Sequence, residues 1–270
     1  MIDMEELKKY GRIYSYYFRQ FWKSRLIYKA DFTLGFLAHS LSVIFSIAFL
    51  TLLFTQVNQL NGWTFNEMLF LAGVGGIVMN FHHIFLFNIY RLGGEFIVTG
   101  DFDRLLVRPL SPLFQVYAGE VRDNSVAKLL VNIAILAYAV PRLNVQIFTP
   151  EKMVYSVLAF SSGIMIFAAI YLAFSSTAFW TGRSRAAIWL IFRMSDFRKY
   201  PYGIYGKAIQ LVLVTLIPIA FASFFPASFL LDKEGWTLGQ IGAILAGPIF
   251  YFLAWKFWRI GLSNYSSTGS

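Results

Sequence analysis

Cysteine is absent from the 270 residues, and that removes disulfides, thiolate metal sites and a cysteine nucleophile together. Charge is scarce, at 14% of residues against 57% hydrophobic, far from the composition of an ordinary water-soluble domain. Catalytic and nucleotide-binding signatures are missing too. There is no G-x-x-x-x-G-K-[ST], no H-E-x-x-H, no G-x-S-x-G and no glycine-rich dinucleotide fingerprint. Any ATP this protein depends on is therefore expected on another polypeptide. The opening MIDMEELKKYGR lacks the short apolar core and cleavage site of a signal peptide, so the first span is expected to act as its own insertion signal. What fills the chain instead is apolar and aromatic: 29 Phe, 15 Tyr and 7 Trp, suited to a surface whose solvent is lipid.

Long apolar runs predict an all-α integral membrane protein with six transmembrane helices. Residues 32–54 carry no charge and are long enough to cross a hydrocarbon core of roughly 30 Å. The second span is placed at 68–90, with Asn80, His82, His83 and Asn88 inside it. The third, at 114–140, has to carry Glu120, Arg122, Asp123 and Lys128 near one interface. The fourth covers 153–180. A fifth, at 208–222, breaks near Pro218 into a re-entrant external segment that includes Pro226, and the sixth covers 238–258. Residues 1–31 form a separate N-terminal amphipathic segment: Leu7, Tyr10, Tyr14, Tyr17, Phe18, Phe21 and Trp22 recur at helical spacing, with Lys8, Lys9, Arg12, Arg19 and Lys23 on other faces. Residues 32–260 make the permease-sized membrane domain, and 261–270 a tail.

The net charge of +9 would suit nucleic acid in a soluble protein, but its placement points to a membrane instead. All Lys and Arg except Arg142, Lys152 and Lys233 fall in 1–31, 91–128, 181–207 and the C-terminal end. By the positive-inside rule these segments and both termini are cytoplasmic, and no nucleic-acid partner is implied.

Two places are candidates for chemistry. An ionisable group inside a span is a functional candidate by default, which singles out His82 and His83. Adjacent residues point about 100° apart on a helix and no acid lies near them within the span, so helix packing is the favoured reading over a proton relay. Ser161 and Ser162 read as packing hydroxyls, and Gly73, Gly75, Gly76, Gly239, Gly242 and Gly247 as close-approach positions. No metal-ligating set is apparent. The second place is RLGGEFIVTGDFDRLLVRPLSPL. Here Gly100 is expected in the left-handed conformation, Asp101 to cap a short helix, and Pro109 to stop it. Physics alone leaves open whether this compact charged element docks a partner or is only a well-capped connection.

GDFDRLLVRPLSPL, FRKYP, IPIAFASFFPASFLL and the tail GLSNYSSTGS, in that order along the chain, resemble the permease subunits of exporters of the ABC type-2 family. Gly100, Asp103, Leu106, Arg108 and Pro109 satisfy the family's pattern G-x-[LF]-D-x-x-L-[LV]-[RK]-P. Tyr200 with Pro201, Pro218, and Pro226 with Ala227 match its later Tyr-Pro, Ile-Pro and Pro-Ala pairs. The resemblance implies a half-transporter in the cell membrane, with an interfacial N-terminal helix and a cytoplasmic coupling helix built around Glu95, Gly100, Asp101, Asp103, Arg104, Arg108 and Pro109. It implies a second permease, identical or paralogous, and two separate ABC ATPase subunits carrying the ATP and Mg; this chain would bind no cofactor itself. A stand-alone secondary transporter or channel is the alternative, although such proteins commonly show repeats and midplane charges. A membrane-embedded enzyme lacks a visible nucleophile with a partner.

Overall fold

The computed structural model describes residues 4–27 and 29–267, and side chains over 8–23 and 33–267. Leu7 therefore lies outside the described side chains. The described residues form helices and turns, with one isolated bridge between Leu60 and Trp63 and no sheet. The α-helices are α1 (Met4–Ile27), α2 (Lys29–Phe54), α3 (Phe65–Phe85), α4 (Asp101–Leu106), α5 (Pro112–Ala118), α6 (Asn124–Ala139), α7 (Pro150–Ser176), α8 (Ala178–Thr181), α9 (Arg185–Met194), α10 (Lys207–Thr215), α11 (Ile219–Ala222), α12 (Phe224–Leu230) and α13 (Thr237–Ser263).

Five of these passages, 33–54, 65–85, 124–142, 150–181 and 237–263, are long and apolar enough to cross a membrane. Local chemistry sets their limits. The Thr64 amide donates to the Glu67 carboxylate at 2.8 Å, so α3 starts three residues before the apolar run does. Thr149 and Pro150 start α7 in the same way, with the Lys152 amide donating to Thr149 Oγ1. The second span ends as an α-helix at Phe85. Residues 86–90, expected to continue it, tighten into a 3₁₀ turn, followed by a π turn over Leu92–Phe96.

The third span differs from expectation. It is not one helix from 114: α5 stops at Ala118 and α6 begins at Asn124, capped by Asp123, whose carboxylate accepts from the Asn124 amide at 3.0 Å. The intervening charges explain the break. Glu120 pairs with Arg91 at 3.3 Å, and the Arg122 amide donates to the Ile84 carbonyl at 3.1 Å, while its guanidinium lies over the rings of Phe87 and Tyr90. They are satisfied outside a continuous helix.

The fifth passage is a larger correction. Ser184, at the end of the bundle that carries 91–123, donates its amide to the Gly93 carbonyl. Tyr202 packs on Phe224, Phe225 and Trp236, and Gly203 abuts the Asn61 side chain, at the other end. Between them, the aliphatic stem of Arg198 lies beside Gly75 in the middle of α3. Residues 184–203 therefore run from one end of the bundle to the other, through α9 and a 3₁₀ turn over Ser195–Lys199. They are not a loop confined to the basic end. Residues 207–230 start beside that far end and finish there, where the Leu230 carbonyl accepts from Lys152 Nζ at 3.0 Å. In between, Leu216 and Pro218 line one cleft with Ala173 and Phe174 of α7 and Leu253 of α13, well away from that far end. This stretch is bent by 68° around Pro218, and its re-entrant unit spans α10 to α12 rather than following a complete span at 208–222.

The core is built on α7 and α13. Ser162 Oγ donates to the Ala243 carbonyl at 2.5 Å and accepts from the Gly247 amide at 2.9 Å, so the backbones meet where Gly247 has no side chain. Gly73 and Gly76 receive Leu136 and Asn132 of α6 in the same manner. α2 stands apart, with only 6% of its apolar window buried.

Candidate functional site

The loop between α3 and α6 is anchored on one side and bare on the other. Gly100 has φ +76°, a conformation that disfavours any side-chain-bearing residue, and it occupies the N-cap position of α4. Asp101 is therefore the first helical residue rather than the cap; it accepts from Thr99 Oγ1 at 2.8 Å and pairs with Arg104 at 3.1 Å. Glu95 pairs with Arg91, which also holds Glu120. Phe102 is wholly buried against Phe179, Trp258 and Tyr265. Gln115 Nε2 donates to the carbonyls of Leu105 and Leu110 at 2.8 and 3.0 Å, which fixes the chain beyond α4. What faces away is Arg104, Leu106, Val107, Arg108 and Pro109, with Val107 84% exposed.

Two further elements hold this loop, and composition gives no sign of either. Tyr265 Oη donates to Asp103 Oδ1 at 3.0 Å and Ser267 Oγ to Asp103 Oδ2 at 2.6 Å, so the residues after α13 are tied to α4. Burial and the bond to Asp103 push the Tyr265 hydroxyl up to about 12, so it keeps its proton at any physiological pH. From α1, Tyr10 Oη accepts from the Ser111 amide at 3.2 Å and its ring meets Phe114 edge-on.

The polar residues of the second span divide. His82 is fully buried, stacks on Tyr171 with 5.3 Å between ring centroids, and has no hydrogen-bond partner for either nitrogen. His83 Nε2 lies 3.3 Å from Tyr171 Oη and its ring faces Phe87 and Phe192. Asn88 donates to the Val116 carbonyl and joins α5 to the turn after α3. His82 and Asn88 are packing residues in this geometry, and His83 both packs and faces a cavity. Asn80, bonded to the Gly76 carbonyl at 2.7 Å, instead lines a cavity with His83. Pro218 and Pro226 sit in the re-entrant unit, Pro226 buried and Pro218 at its deepest bend.

That cavity, about 400 Å³, lies between α2 on one side and α3, α6 and the 192–200 passage on the other. Lys128, Asn132, Asp196, Arg198 and Lys199 are its polar walls besides Asn80 and His83. Asp196 holds Lys199 at 2.8 Å and Arg198 at 3.4 Å, while Arg193 lies over Trp189. Hydropathy had assigned Lys128 to an interface and Arg198 to a loop. The visible signal was a basic stretch immediately before Tyr200–Pro201, but only the crossing of 184–203 brings it inward. Among the described residues no group of three or more His, Asp or Glu is arranged to hold a metal ion.

Residues 41–269 match the family model described as ABC-2 family transporter protein. No curated protein and no solved structure matches the chain.

Proposed function

The chain belongs to the ABC-2 family of transporter proteins, and from that membership we propose that it is the permease subunit of an ATP-driven exporter in the cell membrane, both termini cytoplasmic. It forms half of the pathway, with a second permease, identical or paralogous, completing the other half. Two separate ABC ATPases bind the ATP and Mg.

The observation that carries this reading is the α4 loop. It is buried at Phe102, tied to α13 through Asp103 and to α1 through Ser111, and bare at Arg104, Val107 and Arg108. A surface loop otherwise free to move is held by three elements while offering a cationic and apolar face, which suits a part that receives force and passes it inward. Closure of the ATPases would press on α4; Phe102 and Tyr265 would carry that displacement to α13, whose tight contact with α7 moves as a unit. α1 would lie in the plane of the cytoplasmic interface.

The mid-bundle cations favour a second reading, a stand-alone secondary transporter. The experiment that separates the two is purification of the tagged chain from its native membrane in mild detergent, followed by mass spectrometry. A stoichiometric Walker-motif ATPase establishes the exporter. A chain that arrives alone, or only with copies of itself, overturns it in favour of the secondary transporter.

A further inference from the structure

The cavity beside α2 holds three cations, Lys128, Arg198 and Lys199, against the single carboxylate of Asp196. That carboxylate is already shared between Arg198 and Lys199. Among the described residues Lys128 has no ion pair, and Arg198, 8% exposed, keeps a buried Nε with no hydrogen-bond partner. Charges inside a bilayer are costly unless paired. An excess of positive charge beside the middle of α3, with donors in place, is therefore an arrangement completed by an anion. A lysine one turn into a helix ordinarily bends its ammonium out to the interface; Lys128 instead shares this cavity with Arg198 and Lys199.

The rest of the lining limits what the anion can be attached to. Val43, Phe45, Ile47, Phe49 and Leu50 of α2, with Leu69 and Ile135, make an apolar wall, interrupted only by Tyr200 and by Ser42 and Ser46, whose hydroxyls donate to carbonyls of their own helix. Leu50 and Leu69 lie toward the end where Trp63 sits, Lys128 and His83 toward the other, and Arg198 between them beside Gly75, so the cavity runs from a mixed polar part to an apolar end. α2, which forms the outer wall, is itself largely unburied.

We infer that this cavity binds an anionic amphiphile, its phosphate or carboxylate head against Lys128, Arg198 and Lys199 and its apolar body along α2. On the exporter reading, on which this second step rests, such amphiphiles are the transported class. Asn80 and Asn132 also face the cavity; each amide nitrogen donates one N–H to a backbone carbonyl, of Gly76 and of Lys128, and keeps a second. A free inorganic anion would satisfy the cations but leave the apolar wall unused, and a cationic amphiphile would meet like charge.

The test uses the full-length chain in nanodiscs of zwitterionic phosphatidylcholine, titrated calorimetrically with dodecyl phosphate, inorganic phosphate and dodecyltrimethylammonium. Saturable binding of dodecyl phosphate alone is expected, weakened about tenfold in Lys128→Gln, as loss of one charge-assisted contact implies. Ser46→Trp, which fills the cavity from α2 without touching a charge, should weaken binding by a similar factor, so the test survives if the lysine variant does not fold. Equal binding of inorganic phosphate would replace the amphiphile by a free anion and overturn the inference. So would tighter binding of the ammonium amphiphile, or binding unchanged in both variants. ATPase activity of the native complex is read separately. An ATPase that co-purifies and is not stimulated by dodecyl phosphate removes the cargo assignment while leaving the exporter intact; binding without any co-purifying ATPase keeps the site and removes the exporter.

Discussion

Tyr265 and Asp103 are 162 residues apart in sequence, and the hydroxyl of one donates to the carboxylate of the other at 3.0 Å. That bond joins the end of the last membrane helix to the short helix between the second and third spans, and Ser267 reinforces it on the second oxygen. Tyr265→Phe keeps the ring against Phe102 and Phe179 and deletes only the bond. Because Asp103 is partly exposed, the loss should be about 1 kcal/mol, that of an ordinary hydrogen bond rather than of a buried one to a charged group. Amide exchange across 101–106 should quicken about fivefold in Tyr265→Phe, with unfolding temperature little changed; unchanged exchange would show that the remaining contacts, Phe102 and Ser267 among them, hold the loop without this bond.

Arg108→Glu reverses charge on the exposed face of the loop without disturbing a described contact. Transport per ATP hydrolysed should fall at least tenfold in the reconstituted complex, while membrane insertion is retained. Full coupling in this variant would sink the assignment of the loop as the ATPase-docking surface.

The passage 184–203 is open to a direct test, since the chain has no native cysteine. Ile204→Cys should react with a membrane-impermeant maleimide from the same side as Phe148→Cys, and from the side opposite Val107→Cys. Reaction of Ile204→Cys from the Val107 side would restore the loop and abolish the crossing.

Gly247→Ala places a methyl group against the backbone of Ser162. Overpacking of this kind costs about 1–3 kcal/mol, and the unfolding temperature in detergent should drop by several degrees. Gly206→Ala, with open space around it, is the control and should be near neutral.

His82 and His83 should respond differently. His82 has two buried nitrogens without partners, so His82→Phe should leave transport intact and hold or raise the unfolding temperature. His83→Phe loses the contact with Tyr171 Oη and should be destabilising by about 1 kcal/mol. Loss of transport in a stably folded His82→Phe would reinstate a proton relay.

Helix existence was legible wherever apolar residues run unbroken. α2, α3, α7 and α13 lie within a few residues of where hydropathy puts them, the differences coming from caps such as Glu67 on the Thr64 amide and from the turns after Phe85. α6 is half legible: hydropathy places its apolar part, but it puts the start ten residues early, because Glu120 and Arg122 can snorkel from one continuous helix. They are satisfied by Arg91, by the Ile84 carbonyl and by the rings of Phe87 and Tyr90, all contributed from the other side of the loop. Gly100 and the packing roles of Ser162 and Gly247 were readable, since each follows from a residue type with few structural uses.

By itself the sequence determined that this protein lives in a membrane, is helical, has no recognisable ATP-binding motif and carries a short charged helix with a left-handed glycine before it. These follow from composition, run length and backbone preference, which are local quantities. Tertiary structure alone decided that 184–203 crosses the bundle, that 207–230 enters and returns, and that Lys128 and Arg198 meet in one cavity. Hydropathy assigns a cost to each charge as if it stood alone in lipid. In the folded chain that cost depends on what stands opposite: Asp196 beside Arg198 and Lys199, and Gly75 leaving room in α3 for the arginine stem.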